Sequence, residues 1–388
     1  MLSGVHRFTA QEQVIYGKPA AEALLAEVKR SGCARLFVLA SPSVRGSPLL
    51  TSISQALGPL MAGAYFDMRP HSPRESIVGA ANSARAVGAD LLVAVGGGST
   101  IDACKVVQRL IWLGLSSEDE VDQLPKGPWG DRPAEVPDAL GSIVRSVAIP
   151  TTFSGAEFTA FAGATNSKNG VKELIDHPLQ VPRTVILDPL AVIGVPSWVL
   201  MSTGVRAVDH CVESFCSPGA QPYSDAMSVQ ALRMLLSTLP KLRKDPQNLD
   251  LILEAQLGMW LAVLGPAAGV PIGASHGIGR VLGGAYGVPH GRTSCMLLPS
   301  VLRWNAAVNL PRQSELAAAI GRPERALADT IADLIVSLDE PACLREAGLA
   351  EADLSELAKR SVASGFLIHN PRPIPDAEVA LELLKLAW

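Results

Sequence analysis

The side chains best placed to move protons or hold an anion are three histidines and two arginines in the second half of the chain. Arg206 and His210 are four residues apart and Glu213 follows three later, so all three share one helix face. His276 and Arg280 repeat the four-residue spacing, and His290 lies in the turn Val288, Pro289, His290, Gly291. An imidazole near neutrality can donate a proton, accept one or ligate a metal. A guanidinium can polarise a carbonyl or grip a carboxylate with two parallel bonds. A lone histidine is equally at home as a satisfied core residue, and His6, His71, His177 and His369, without comparable settings, read as structural.

A second constellation lies in the first half. Gly96, Gly97, Gly98 and Ser99 separate the apolar run Asp90 to Val95 from a helix beginning near Ile101. Glycines let backbone approach a diphosphate closely, and a helix N-terminus supplies unpaired N–H groups there. A tight structural turn would use the same glycines. Asp102 and Lys105 fall on the first turn and a half of that helix, where helix-end electrostatics alone would account for them. Thr151, Thr152 and Ser154 follow the next strand and could hold a diphosphate or ribose at the same end of the sheet; an ordinary hydroxyl-rich turn is the alternative.

These groups need elements to position them. Arg35 to Ala40, Asp90 to Val95, Val144 to Ile149 and Thr184 to Leu187 read as strands. Between them lie a helix over Pro19 to Lys29 and one from a capping box, Ser72 to Glu75, through about Val87. Alternating strands and helices imply a parallel sheet covered on both faces. After Asp188 and Pro189 the pattern becomes helical, over Ala226 to Leu239, Leu251 to Leu264, Arg325 to Leu338 and Asp353 to Ser364. The fold class expected is therefore α/β plus all-α, with residues 1–190 as a Rossmann-like dinucleotide-binding domain and 191–388 as an all-helical domain. Residues 116–141, with four prolines and three glycines, read as an exposed insertion.

Composition narrows the class. At 388 residues, 48% hydrophobic and 18% charged, the chain is too long for one core and too apolar to be disordered. A net charge of -4 argues against a nucleic-acid partner. Six scattered cysteines without a CxxC pair point to a reducing, cytoplasmic setting. The uncharged stretch Ala255 to Ser275 is interrupted by Pro266 and Pro271, so it reads as core plus a turn and no membrane span is expected.

Together these motifs resemble the group III, iron-containing alcohol dehydrogenase family, and within it the maleylacetate reductases. The likeness runs from Val14, Ile15, Tyr16, Gly17 to Asn370, Pro371, Arg372. It includes the stretch Gly96 to Asp102 with Lys105, Pro150 to Thr152, Arg183 to Pro189, His210 with Glu213, His276, and Val288 to Gly291. The resemblance implies a dinucleotide-binding domain followed by a helical one (a dehydroquinate synthase-like architecture), with an active site in the cleft between them. It also implies hydride transfer between NAD(P)H and an alcohol or carbonyl carbon, commonly in a homodimer. Lys172 looks like the family's cofactor-side lysine, and a solvated surface lysine is the alternative.

Metal-dependent members bind Fe2+ or Zn2+ through one aspartate and three histidines. The histidines match His210, His276 and His290, but the aspartate position is Arg206, and a guanidinium cannot ligate a cation. Asp209 is set aside as a replacement, because adjacent helix residues point about 100° apart. A family histidine associated with proton relay is here Arg280. Where NAD-preferring members carry an aspartate after the second strand, this chain has Ser41, which would not repel a 2'-phosphate. The expectation is a metal-independent NAD(P)H-dependent reductase of a small carboxylate-bearing ketone or aldehyde. Arg206 would supply fixed charge, and His276 or His290 the proton. The bland alternative has Arg206 turning aside to pair with Glu213 while a metal stays on the histidines, as in a dehydrogenase of a small alcohol. A cofactor-retaining lyase or cyclase and a non-catalytic nucleotide-binding relative are the rivals from other classes.

Overall fold

The computed structural model describes residue 6 and residues 8–125, 143–168 and 170–388. They fall into two compact units, Phe8–Gly194 and Val195–Trp388, the second joined by His6. Most of the expected insertion at 116–141 lies outside the described residues.

The first unit is built on a parallel sheet of six strands: β1 (Gln13–Tyr16), β2 (Leu36–Ala40), β3 (Met61–Tyr65), β4 (Leu91–Gly96), β5 (Arg145–Pro150) and β8 (Thr184–Leu187). Their order is β1-β8-β5-β4-β2-β3, and β6 (Phe161–Asn166) and β7 (Val171–Asp176) form a separate antiparallel hairpin. Every residue of β2, β4 and β8 is buried, as a sheet covered on both faces requires. Leu36, Val38, Leu91, Val93, Val95, Val147 and Ile149 pack with Leu24 and Val28 of α1 (Ala20–Ser31) and Ile53 of α2 (Pro48–Leu57). The alternate residues, Phe37, Leu39, Leu92 and Ala94, point the other way by the two-residue period. On that side α4 (Gly98–Leu113) packs on β4 and β5, with α3 (Arg74–Ala86) beside it.

The register has a functional consequence. Ala40 pairs with Val95, and Gly96 pairs with Pro150, so the C-terminal ends of β2, β4 and β5 finish in one row. Ser41, the glycine loop and Thr151 are thereby delivered to one edge of the sheet, where parallel α/β sheets bind ligands.

One local expectation fails. The capping box at Ser72 to Glu75 does not form: α3 begins at Arg74 behind Pro73 without a side-chain cap. Ser72 Oγ instead donates to Ser99 O at 2.8 Å, and Glu75 pairs with Arg69 and Ser167. A bond to the glycine loop has won over a bond to the helix's own first turn.

The second unit comprises eight helices among the described residues: α5 (Ser197–Cys216), α6 (Pro222–Lys244), α7 (Leu249–Ala267), α8 (Ala274–Tyr286), α9 (His290–Ala319), α10 (Leu327–Ser337), α11 (Leu354–Ala363) and α12 (Ala377–Ala387). The uncharged stretch divides as read: α7 ends at Ala267, a turn follows, and α8 starts at Ala274. Helix α5 runs through the middle, packed by α6, α7 and α9, and every residue from Gly204 to Cys216 is buried. Polar side chains on such a helix must find partners inside the protein, because burying them unpaired is costly. On α8, Ala274, Ile278 and Leu282 enter a core with Leu297, Val301, Leu357 and Leu383. That leaves His276, Gly279, Arg280 and Gly283 on its other side.

Candidate active site

In the α/β unit the glycine loop is held from three sides. Gly96 has φ +156°, and a Cβ there would strike Thr100 Oγ1 at 2.7 Å, so glycine is required on both counts. The Thr152 side chain lies over Gly97, and Ser154 Oγ lies 3.0 Å from where a Cβ on Gly98 would be. Thr152 Oγ1 donates to Ser154 Oγ at 3.3 Å, and Thr151 N–H to Gly96 O at 3.0 Å. The two hydroxyl-rich and glycine-rich segments thus form one surface at the N-terminus of α4, suited to a diphosphate. Ser41 closes the row after β2, its Oγ 2.9 Å from Ser43 Oγ.

Asp102 and Lys105 have structural duties beside it. Asp102 Oδ2 accepts the Gly163 N–H at 3.1 Å. Lys105 is fully buried, and its ammonium donates to Ala156 O (2.6 Å), Phe161 O (2.8 Å) and Thr159 Oγ1 (3.2 Å). Lys172, in β7, is half-buried and lies across Gly163, where any Cβ would collide with it.

Sequence reasoning passed over His71. His71 and Ser72 adopt left-handed backbone conformations, φ +64° and +53°, rare for residues other than glycine. His71 N–H donates to Ser99 Oγ at 3.1 Å, while Thr165 bonds both carbonyls of the pair. The strained turn pins Ser99 to the β6–β7 hairpin. Burial, and then the nearby Lys172 charge, hold the His71 imidazole below its usual pKa. Nothing in the local sequence announces that conformation.

In the helical unit, α5, α8 and α9 bring most of the predicted residues together. Glu213 does something its motif did not reveal: it caps α8. Its Oε1 accepts from Ser275 N (2.9 Å), and its Oε2 from Gly273 N (3.0 Å) and His276 N (3.4 Å). The His276 Nδ1 lies 2.7 Å from Oε2, so the capping carboxylate also orients the imidazole. Burial pushes the Glu213 carboxyl up to about 7 against those backbone bonds. It pushes His276 down to about 3, helped by the Arg206 charge. The imidazole is therefore neutral at pH 7. With Nδ1–H on Glu213, it presents a lone pair at Nε2, and this weakens His276 as a direct proton donor. The His210 ring stacks on it, centroids 4.7 Å apart and planes at 30°, and is held neutral by burial.

Arg206 is buried, 6% exposed, and does not turn aside to bond Glu213: its Nη1 donates to Ser294 Oγ at 3.2 Å. Asp209, set aside on angular grounds, is part of the cluster. Its Oδ2 accepts from Ser294 Oγ (2.6 Å) and Ser275 Oγ (2.7 Å) and lies 3.3 Å from His276 Nδ1. The 100° offset holds, but α5 is surrounded, so a residue off the Arg206 face meets α8 and α9 instead of solvent.

Two glycines on α8 let neighbouring side chains approach that helix closely. A Cβ on Gly279 would lie 2.7 Å from Thr293 Oγ1 and 3.7 Å from Arg206 Nη1; one on Gly283 would lie 3.6 Å from His290 Nδ1. Four residues apart on α8, they put Arg206 and His290 about one helical turn from each other. His290 opens α9 half-buried, and Arg280 stacks its guanidinium over the Phe366 ring at 4.3 Å.

The geometry also tests a divalent ion. The described residues hold one group of three side chains with ligand atoms within 4.8 Å of each other: Asp209, Glu213 and His276, not His210, His276 and His290. By type these oxygen and nitrogen donors suit a divalent cation. By occupancy they fit poorly, since both Glu213 oxygens accept backbone N–H groups and Asp209 Oδ2 accepts two serine hydroxyls. Asp209 Oδ1, His276 Nε2 and His210 Nδ1 have no hydrogen-bond partner among the described residues. A buried guanidinium sits in the same cluster.

Comparison with known proteins agrees with this architecture. The family model described as iron-containing alcohol dehydrogenase matches residues 11–189, and that of the C-terminal region of the same family matches 200–388. A maleylacetate reductase of Rhizobium sp. strain MTP-10005 is 30% identical over 369 residues, 94% of this chain and 93% of that one. The crystal structure of maleylacetate reductase from that strain superposes with a TM-score of 0.82 at 28% identity, covering 100% of this chain and 99% of the other. A sulfoacetaldehyde reductase from Bifidobacterium kashiwanohense, solved in complex with NAD+, shares the fold at 23% identity and a TM-score of 0.85, covering 99% and 98%.

Proposed function

The chain belongs to the iron-containing alcohol dehydrogenase family, and from that premise we propose that this oxidoreductase is an NAD(P)H-dependent reductase of a carboxylate-bearing ketone or aldehyde, working without a metal. The observation that carries the reading is Arg206, a buried guanidinium fixed among Asp209, His276 and Ser294 where metal-dependent relatives would keep a ligand. The maleylacetate reductase likeness supports an oxo acid as substrate class.

In this reading Gly96, Gly97, Gly98, Ser99, Thr151, Thr152 and Ser154 hold the cofactor diphosphate at the N-terminus of α4. Ser41 faces the adenosine ribose, and Asp102 and Lys172 brace the hairpin beside the loop. A bound nicotinamide would supply the hydride for the carbonyl carbon. Negative charge then grows on the carbonyl oxygen, where a preorganised guanidinium stabilises it without reorganising. The proton for the alkoxide comes from His290, half-buried at the start of α9, while neutral His276 and His210 form a stacked pair in the helical cluster. Arg280, half-buried on the His276 side of α8, holds the substrate carboxylate in this reading.

The test uses protein purified without chelators, assayed by nicotinamide absorbance with oxo acids and with neutral aldehydes. Turnover of oxo acids that survives EDTA, in protein with substoichiometric iron and zinc, is the expected result. Stoichiometric metal on which activity depends would instead make the protein a metal-dependent dehydrogenase. Substrate turnover without any nicotinamide absorbance change would point to a lyase, and cofactor binding without turnover to a non-catalytic relative.

A further inference from the structure

Ser294 stands between a buried cation and the carboxylate that balances it. Its hydroxyl accepts from Arg206 Nη1 at 3.2 Å and donates to Asp209 Oδ2 at 2.6 Å. Asp209 is wholly buried and takes a second hydroxyl, Ser275 Oγ at 2.7 Å. A carboxylate placed directly against a guanidinium engages its fork with two parallel N–H bonds and leaves less of it for a ligand. Interposing a hydroxyl keeps the countercharge close enough to permit burial, yet draws on one nitrogen of the fork. The serine's place is set by α9 packing on α8: Thr293, its neighbour, meets α8 at Gly279, the residue beside which Arg206 Nη1 passes. Ser294 and Asp209 are 85 residues apart in the chain, so the relay is a product of the fold.

We propose that Ser294 and Asp209 are positioning residues that act through Arg206: the Arg206–Ser294–Asp209 relay holds the guanidinium with its remaining N–H groups directed at the substrate's carbonyl oxygen. The inference rests on the reading of the protein as a carbonyl reductase that uses Arg206. Its signature is coupling. Ser294→Ala lowers kcat about tenfold to a hundredfold, the range for a lost hydrogen bond to a charged group, while the KM for NAD(P)H is unchanged. Asp209→Asn, which keeps an acceptor for the serine but removes the charge, gives a similar loss, and Ser294→Thr recovers most of the activity.

The deciding experiment is a double-mutant cycle in the full chain with Arg206→Met and Ser294→Ala, assayed with the best oxo acid found. The expected result is that the double variant is no slower than Arg206→Met alone. Additive losses would overturn the relay. If Arg206→Met leaves turnover unchanged, the carbonyl-reductase role of Arg206 is what fails, and the two failures are distinguishable. Cofactor binding measured by nicotinamide fluorescence reports whether each variant is folded. Should Ser294→Ala not fold, the same cycle run with Asp209→Asn decides, equal rates in the double variant supporting the relay and additive losses overturning it.

Discussion

Replacing Glu213 with alanine should destabilise the helical unit far more than a surface carboxylate would. Its two oxygens accept backbone N–H groups of Ser275 at 2.9 Å and Gly273 at 3.0 Å, with His276 N at 3.4 Å and His276 Nδ1 at 2.7 Å. Each buried donor left without an acceptor costs about 1–3 kcal/mol. Asn370 Oδ1 still receives Ala274 N, which keeps part of the cap. Two strongly bonded amides then lose their partner, while the imidazole N–H keeps Asp209 Oδ2 at 3.3 Å. A net loss of about 3 kcal/mol is expected. Glu213→Gln keeps one carbonyl oxygen but turns an NH2 toward a backbone donor, so it should lie between parent and alanine. Urea unfolding followed by far-ultraviolet circular dichroism measures both, and hydrogen exchange at the Ser275 amide should accelerate in step. A Glu213→Ala protein within about 0.5 kcal/mol of the parent, the usual range for surface substitutions, would refute the view that this carboxylate caps α8.

Other consequences are open to measurement. Glu157 is fully buried, and burial raises its carboxyl to about 7 from 4.5. The folded state then holds a proton that the unfolded chain has released, so this contribution is greatest below pH 4.5 and falls as pH rises through about 7. Asp176, raised to about 6, acts in the same direction. Glu157→Gln should flatten the decline between pH 5 and 7, by up to about 3 kcal/mol, and an unchanged slope in thermal unfolding across that range would exclude Glu157 as its source. Ser41→Asp should shift the ratio of kcat/KM values toward NADH by about tenfold or more, because a carboxylate there meets the 2'-phosphate of NADPH; equal ratios would remove Ser41 from the ribose site. Ser72→Ala removes the 2.8 Å bond to Ser99 O and should raise the cofactor KM while costing about 1 kcal/mol of stability.

The sheet and the glycine loop were legible because their signals are local. An unbroken apolar run ending in three glycines points to a buried strand and a tight turn into a helix, and β4 with α4 follows that pattern. The β6–β7 hairpin carries no such signal: its strands mix small, polar and charged residues, and its value lies in where Lys172 and Thr165 end up. The helical cluster was half legible. Spacing put Arg206, His210 and Glu213 on one face, but the partners that define them, Ser294, Ser275 and the amides of Gly273 and Ser275, lie 60 or more residues away. The angular argument against Asp209 suits a surface helix, and α5 has no surface along that stretch.

The burial of α5 bears on how such a site can change over time. Arg206, Asp209, His210 and Glu213 share one unbroken helix, so inserting or deleting a single residue upstream of them would turn all four by about 100° and scatter every bond they make to α8 and α9. A length change within α5 breaks the whole cluster, whereas exchange of one side chain leaves the other three in register. A side chain at one of these positions can thus change its charge without disturbing the frame that holds the others.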